Sequence, residues 1–359
     1  MQNKVTLKVN GKKYENWLDV SITCTLQSLA RVFAVKSTRS KEDLTIGIEP
    51  QDEVQVLIDD EPILTGYVTK REVSYSSSGV TITITGASKT VDLQDCCMPT
   101  GKPNSFRNQT HFQNLSAVCE PFGIKVIDQV QSVDRRNLEF SPTETIGPAI
   151  TSYLQKNGVL LTDNEFGNLV IAQAGSAGNA HDPLELGKNI LEGKRTQDYS
   201  KRFSYYVTLG QAANPASELP VSANHLRETV EDTSVRRIRY LVKQESGNAS
   251  AETLQKKSAI MKDVKFGESD VLSYKVQGWR QSNGELWKVN SKVNIFDSML
   301  GVENVPMLIN QISYKCSSTG TIVEICCVNP RMYRLLEQVD SKAIGTSNLI
   351  DIKLNSGKI

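Results

Sequence analysis

The sequence predicts a mainly β protein in which two strand-rich ends, each the size of a small barrel, flank an α+β insert. Three observations predict it. Short β-branched stretches that alternate with polar residues and stop at Gly, Pro, Asn or Asp fill the first hundred or so residues. Beyond them the apolar spacing changes to a helical one. After about residue 200 the strand pattern returns, and its order repeats that of the first end.

At the first end, residues 5–9 read as a strand that stops at Asn10-Gly11, a pair that tolerates the positive φ of a tight hairpin turn. Strands over residues 20–24, 54–58, 64–75 and 80–84 follow, the last two joined across Ser76-Ser77-Ser78-Gly79. Such a series builds a barrel or sandwich. In the insert, Thr110 and Gln113 fit a capping box, and Phe112, Leu115, Val118 and Cys119 share one helical face. Pro121-Phe122-Gly123 stops that helix, and residues 124–127 form the next strand. Residues 148–156 are again helical, and strands at 159–162 and 169–172 flank a turn at 163–168.

Residues 173–200 are rich in Gly, Ala and Asn with little periodicity, which places a boundary there. Strands at 203–209 and 237–242 follow. Ala251, Leu254, Met261 and Val264 then mark a helix from 249 to about 265. The last strands fall at 274–279, 286–289, 292–296, 307–314 and 321–328. The expected domains are therefore a first barrel at 1–97, an α+β insert and linker at 98–199, a second barrel at 200–336 and a tail at 337–359. In the tail, Ile350, Ile352 and Leu354 alternate with Asp351 and Lys353 as a short strand does; the alternatives are a terminal strand packed on its own subunit, a strand that pairs with a neighbouring subunit or the spike, and plain disorder.

The two ends can be laid beside one another. Residues 54–59, 63–75, 76–79 and 80–84 match residues 292–297, 307–314, 317–320 and 321–325 as strand, Asp-ended turn, long strand ending Ser-Tyr, serine-glycine turn and strand. A duplication of one barrel within the chain is the expectation.

Composition narrows the function classes. The 41 Lys+Arg against 40 Asp+Glu leave a net charge of +1, no field for gripping a nucleic-acid backbone or an acidic membrane. No apolar run reaches membrane-span length, and the N-terminus lacks a signal-peptide core, so synthesis in a cytosol without membrane insertion is expected. The seven cysteines, with the adjacent pairs Cys96-Cys97 and Cys326-Cys327 and no CxxC spacing, read as reduced, buried hydrophobes.

Catalytic groups are scarce. His111, His181 and His225 lie far apart and outside any HExxH motif, and there is no GxSxG elbow. Gly86-Ala87-Ser88-Lys89-Thr90 lacks the Gly-Lys pair of a phosphate loop and reads as a turn leaving a strand, and Gly101-Lys102-Pro103 fails likewise. The acidic clusters Glu49, Asp52, Glu53 and Asp59, Asp60, Glu61 fall at turns and read as solvated charge, although paired carboxylates could serve glycoside hydrolysis. The basic stretch 236–240, with Tyr205-Tyr206, is either a nucleic-acid surface or a solvated or subunit-contact face; the strand period favours the second. No catalytic residue, metal ligand or cofactor site is assigned, and none is expected.

Several short motifs, in their order along the chain, resemble the baseplate hub proteins of Mu-like contractile phage tails, which are related to the late control gene D proteins of other tailed phages. They are residues 48–56 (IEPQDEVQV), 64–68 (LTGYV), 86–93 (GASKTVDL), 120–126 (EPFGIKV), 186–191 (LGKNIL) and Gly278-Trp279-Arg280 followed by Gly284-Glu285-Leu286-Trp287. Gln51 stands where such proteins often carry Gly, and Ala87 where they often carry Arg. The resemblance implies two tube-like barrels per chain. It also implies a homotrimer with six like domains in a ring, and a structural role in the virion tail. There the hub would adapt a six-fold tail tube to a three-fold central spike among other baseplate proteins. The alternatives are a tail-associated cell-wall hydrolase and a nucleic-acid-binding barrel protein.

Overall fold

Asn10 and Gly11 take φ of 51° and 76°, the left-handed pair that a two-residue hairpin needs, and so join β1 (Val5–Val9) to β2 (Lys12–Tyr14). The computed structural model describes residues 3–39, 47–77, 79–156, 159–211, 225–318 and 320–333. The tail at 337–359, with its expected terminal strand, lies outside the described residues.

Alternation sets the next strands. In β3 (Asp19–Thr25), Val20, Ile22 and Cys24 point inward while their neighbours are half-buried. β4 (Val32–Arg39), β5 (Glu53–Ile58), β6 (Glu61–Ser76) and β7 (Gly79–Ser88) complete the first end. β4 escaped the sequence reading because residues 26–31 before it contain no Gly, Pro, Asn or Asp to mark a turn.

A short helix α1 (Val91–Asp95) leads into β8 (Ser105–Thr110) and α2 (His111–Cys119). The capping box at Thr110 and Gln113 forms as the sequence predicts, and Gly123 ends the segment at φ 65°. β9 (Val126–Asp128), β10 (Arg135–Glu139), α3 (Ile146–Lys156), β11 (Leu160–Asp163) and β12 (Leu169–Ala172) follow. Leu115, Val118, Ile146, Ile150, Leu154, Leu169 and Ile171 close one apolar core between α2, α3 and the sheet of β9, β11 and β12.

β13 (Leu184–Glu185) and β14 (Ile190–Gln197) occupy the segment that the sequence left as an aperiodic boundary. β14 has no alternation to read because it is exposed or half-buried along its whole length. β15 (Tyr205–Gln211) pairs antiparallel with β16 (His225–Glu231) and parallel with β17 (Tyr240–Asn248). The strand expected over 237–242 begins only at Tyr240, with the Arg239 backbone N–H donated to Ser204 Oγ at 2.8 Å instead of to a strand. α4 (Ala251–Glu268), capped by Ser250, packs on β15 and β16, where Thr208 and Ser258 share a hydrogen bond of 2.7 Å. β18 (Asp270–Gln277), β19 (Lys292–Asp297), β20 (Val302–Ser317) and β21 (Gly320–Val328) end the described chain apart from a short 3-10 turn. Residues 286–289 are not a strand; Leu286 makes a single bridge to Arg280.

The large sheet runs β14-β18-β21-β20-β3-β4-β7-β6-β5-β1-β2, with β19 beside β20 and β13 beside β19. The protein is mainly β with small α+β parts. Strands of both ends thus share one sheet, joined where β20 lies antiparallel to β3.

The chain divides into two compact units. One unit comprises Met1–Gln155, Val159–Lys194 and Ser273–Cys327, and the other comprises Lys156–Gly158, Arg195–Leu272 and Val328–Ile359. Hydrogen bonding follows that division: β15, β16 and β17 pair only with one another among the described residues, whereas β19, β20 and β21 belong to the sheet that also holds the strands of the first end.

Candidate functional site

Candidate catalytic groups come first. His111 is buried at the start of α2, with Nδ1 hydrogen-bonded at 2.9 Å to the Tyr153 hydroxyl, which accepts from Asn114 Nδ2 at 2.9 Å. Burial, and then the Arg136 charge, hold its imidazole below the ordinary value, so it is neutral. His181 adjoins Asp182, and His225 is exposed at the start of β16; the three histidines do not meet. Burial pushes the Cys24 thiol up to about 11 and the Cys119 thiol to about 12, which keeps both protonated. Among the described residues, no three His, Cys, Asp or Glu side chains gather into a metal site.

The acidic clusters are tied to cations. Arg280 reaches Glu61 at 3.1 Å and Asp59 at 3.5 Å, Arg71 pairs with Glu49, and Lys89 lies 3.4 Å from Glu53. Asp52 accepts from the Glu49 backbone N–H at 2.8 Å and from Asn10 Nδ2 at 3.0 Å, bonds that hold its carboxyl below the usual range. These carboxylates brace turns. Asp59 and Asp60 themselves sit at φ 49° and 67°, the left-handed hairpin pair between β5 and β6.

Sequence reasoning missed the most constrained polar node of this unit. Arg31 donates from Nε to Asp163 Oδ1 (3.0 Å), from its backbone N–H to Oδ2 (3.1 Å), from NH2 to the Asp163 carbonyl (3.0 Å) and from NH1 to the Ile63 carbonyl (2.8 Å). Ser88 Oγ adds a bond to Oδ2 at 2.5 Å. The segment 86–90, which only superficially matched a phosphate loop, is therefore the end of β7, and its serine secures a buried carboxylate. A cavity of about 390 Å³ lies beside the pair, lined among others by Cys24, Trp287, Asn290 and Tyr314. It contains no activated nucleophile: burial raises the Tyr314 hydroxyl well above its ordinary value, and that hydroxyl donates to the Trp287 carbonyl.

The arrangement with functional content is a repeat. β5, β6 and β7 form an antiparallel meander of 6, 16 and 10 residues; β19, β20 and β21 are neighbours in the same order with 6, 16 and 9. Each first pair slips register after the fourth residue of its short strand, between Val56 and Leu57 and between Ile295 and Phe296. The extra residue lies on the long strand, Ile63 in one copy and Asn304 in the other. A bulge kept at one position in two strand pairs is far more specific than shared turn composition. It also revises the alignment by two residues: Ser76 matches Ser317, so the two Ser-Tyr pairs are not equivalent. Accordingly Tyr75 is 86% exposed and Tyr314 is 2% exposed.

Comparison with known proteins agrees with this geometry. Residues 4–88 match the family model of the Mu phage baseplate assembly protein GpP-like N-terminal domain. Residues 90–173 match the second domain of baseplate hub protein gp44-like chains, and residues 250–336 the fourth domain of Mu phage baseplate assembly protein GpP. Baseplate hub protein gp44 of Escherichia phage Mu is 27% identical over 321 residues, covering 87% of this chain and 84% of that protein. The 43 kDa tail protein of prophage MuSo2 from Shewanella oneidensis is 29% identical, with a TM-score of 0.82 over 92% of this chain and 99% of that one. The tail protein from Neisseria meningitidis MC58, at 19% identity, shares the fold, with a TM-score of 0.79 over 92% of this chain and 97% of that one. Three family models matched in order over most of the length, and relatives covered over most of theirs, identify the domains of this chain as those of baseplate hub proteins of Mu-like phage tails.

Proposed function

We propose that three copies of this protein form the hub at the centre of a contractile tail baseplate, joining a six-fold tail tube to a three-fold spike. The observation that carries this reading is the repeated meander with its conserved bulge position. Two like units per chain, taken three times, offer six equivalent contacts to the tube on one side while true three-fold symmetry is kept toward the spike. Tail tube, central spike and other baseplate proteins are the partners, and assembly takes place in the bacterial cytoplasm before the particle is complete. The role is structural and not catalytic. Of the carboxylates that could have served a cell-wall hydrolase, Glu61 and Asp59 are engaged by Arg280, Glu49 by Arg71 and Glu53 by Lys89.

Sedimentation and negative-stain imaging test the reading. A ring of about 120 kDa, three times the 39.7 kDa chain, is expected, with blank zymograms on peptidoglycan. A monomer at every concentration, with or without tube and spike proteins, would sink it.

A further inference from the structure

The bulge fixes which residues of the two long strands correspond. Glu61 with Val302, Ile63 with Asn304 and Ser76 with Ser317 all stand at one offset, so residues 70–75 of β6 are the counterparts of residues 311–316 of β20. The two segments have different fates. On its edge away from β21, residues 311–316 pair antiparallel with β3, from Gln311↔Thr25 to Cys316↔Val20. Ile312, Ser313 and Tyr314 are buried there. On its edge away from β7, β6 pairs with β5 only as far as Tyr67, and Val68 is met by the backbone of Gln51 and Asp52. Residues 69–75 are exposed throughout, and among the described residues no strand lies along that edge. A long open edge of this kind is a template for pairing with another chain.

The repeat also says which strand fits. β3 reaches β20 from the far side of β4, which neighbours β7. In the second copy the strand beside β21 is β18, and the strand beyond β18 is β14. β14 is therefore the counterpart of β3. Among the described residues it ends the sheet, with no strand on the edge corresponding to the one through which β3 receives β20, and Leu191 to Lys194 are exposed.

We propose that the open edge of β6 at residues 70–75 pairs antiparallel with β14 of a second copy of this chain, repeating between subunits the pairing that β20 makes with β3 within one. The proposal rests on the multi-subunit hub reading and names its interface. The surface chemistry fits: Val73 is 50% exposed, Tyr75 86% and Leu191 54%, three apolar side chains on the otherwise polar segments 69–76 and 191–194. The flanking charges are locally balanced, Lys70 by Glu72 and Glu192 by Lys275, so like charges do not oppose the approach. Because the two edges differ, the contact is head-to-tail and closes only as a ring, as a hub requires.

Amide hydrogen exchange on the full chain across a dilution series tests it. In the assembled protein, peptides covering residues 69–76 and 190–194 should slow together by about tenfold or more relative to the dilute protein, since opening a ladder between subunits costs more than local fraying. Residues 311–316, already paired within the chain, should not change. The variants Val73→Arg and Leu191→Arg should each raise the concentration needed for assembly by about tenfold, with circular dichroism unchanged because both side chains are exposed. Assembly without protection of both segments overturns the pairing and leaves the hub reading intact. Protection of residues 69–76 only on addition of a tube or spike protein also overturns it. A chain that stays monomeric overturns both.

Discussion

Replacing Asp163 with Ala strips the counter-charge from Arg31 while leaving its guanidinium inside the protein. The two side chains are 2% and 11% exposed, so water cannot take the place of the carboxylate. Arg31 remains cationic at any working pH, and its guanidinium keeps only the bonds to the carbonyls of Ile63 and Asp163. Breaking one partner of a buried pair costs about 3–5 kcal/mol, whereas exchanging both for apolar groups is often near neutral. Asp163→Ala should therefore lower the urea midpoint by about 1–2 M. The double variant Arg31→Met/Asp163→Leu should recover most of that loss. Tryptophan fluorescence is the assay of choice, because Trp17, Trp279 and Trp287 all belong to the same compact unit as the pair, so the signal reports that unit alone. A loss below about 1 kcal/mol for Asp163→Ala, or a double variant no better than the single, would refute the account of this node as a desolvated pair.

Three further outcomes follow from the geometry. His111 is held neutral below its ordinary value, so the unfolded chain takes up a proton first as pH falls. Its contribution is complete above about pH 6.5 and is lost as pH drops toward the folded value; His111→Gln should flatten that slope in urea melts between pH 7 and 5. A Cβ on Gly66 would lie 1.9 Å from the Ala87 carbonyl oxygen, so Gly66→Ala should force β6 off β7 and destabilise by more than about 2 kcal/mol, read by the same fluorescence melt. Gln51 sits at φ 79°; Gln51→Gly should raise stability by about 0.5 kcal/mol, the left-handed strain relieved less the entropy added to the unfolded chain, and a decrease would show that its side chain contributes contacts.

Local chemistry made much of this molecule legible in its sequence. Alternation located β1, β3, β5, β6, β7, β20 and β21, the capping box located α2, and Asn10-Gly11 located the first hairpin, because each depends on residues a few positions apart. The order of turns and strands was enough to expect a repeat and a resemblance to baseplate hub proteins. Other features depend on partners distant in the chain. Arg31 and Asp163 look like ordinary surface residues until folding removes their water. Arg280 looks unremarkable until it meets Asp59 and Glu61 from the other end of the chain. β14 carries no alternating pattern because neither of its faces is buried, so periodicity had nothing to report. Sequence thus determined the strands and helices named above, since burial on one face writes a period into the chain, but not every element of the fold. Which strand lies beside which, the bulge that aligns the two copies and the edge of β6 that no described strand covers were decided by tertiary structure, because register is a relation between segments that no single segment encodes.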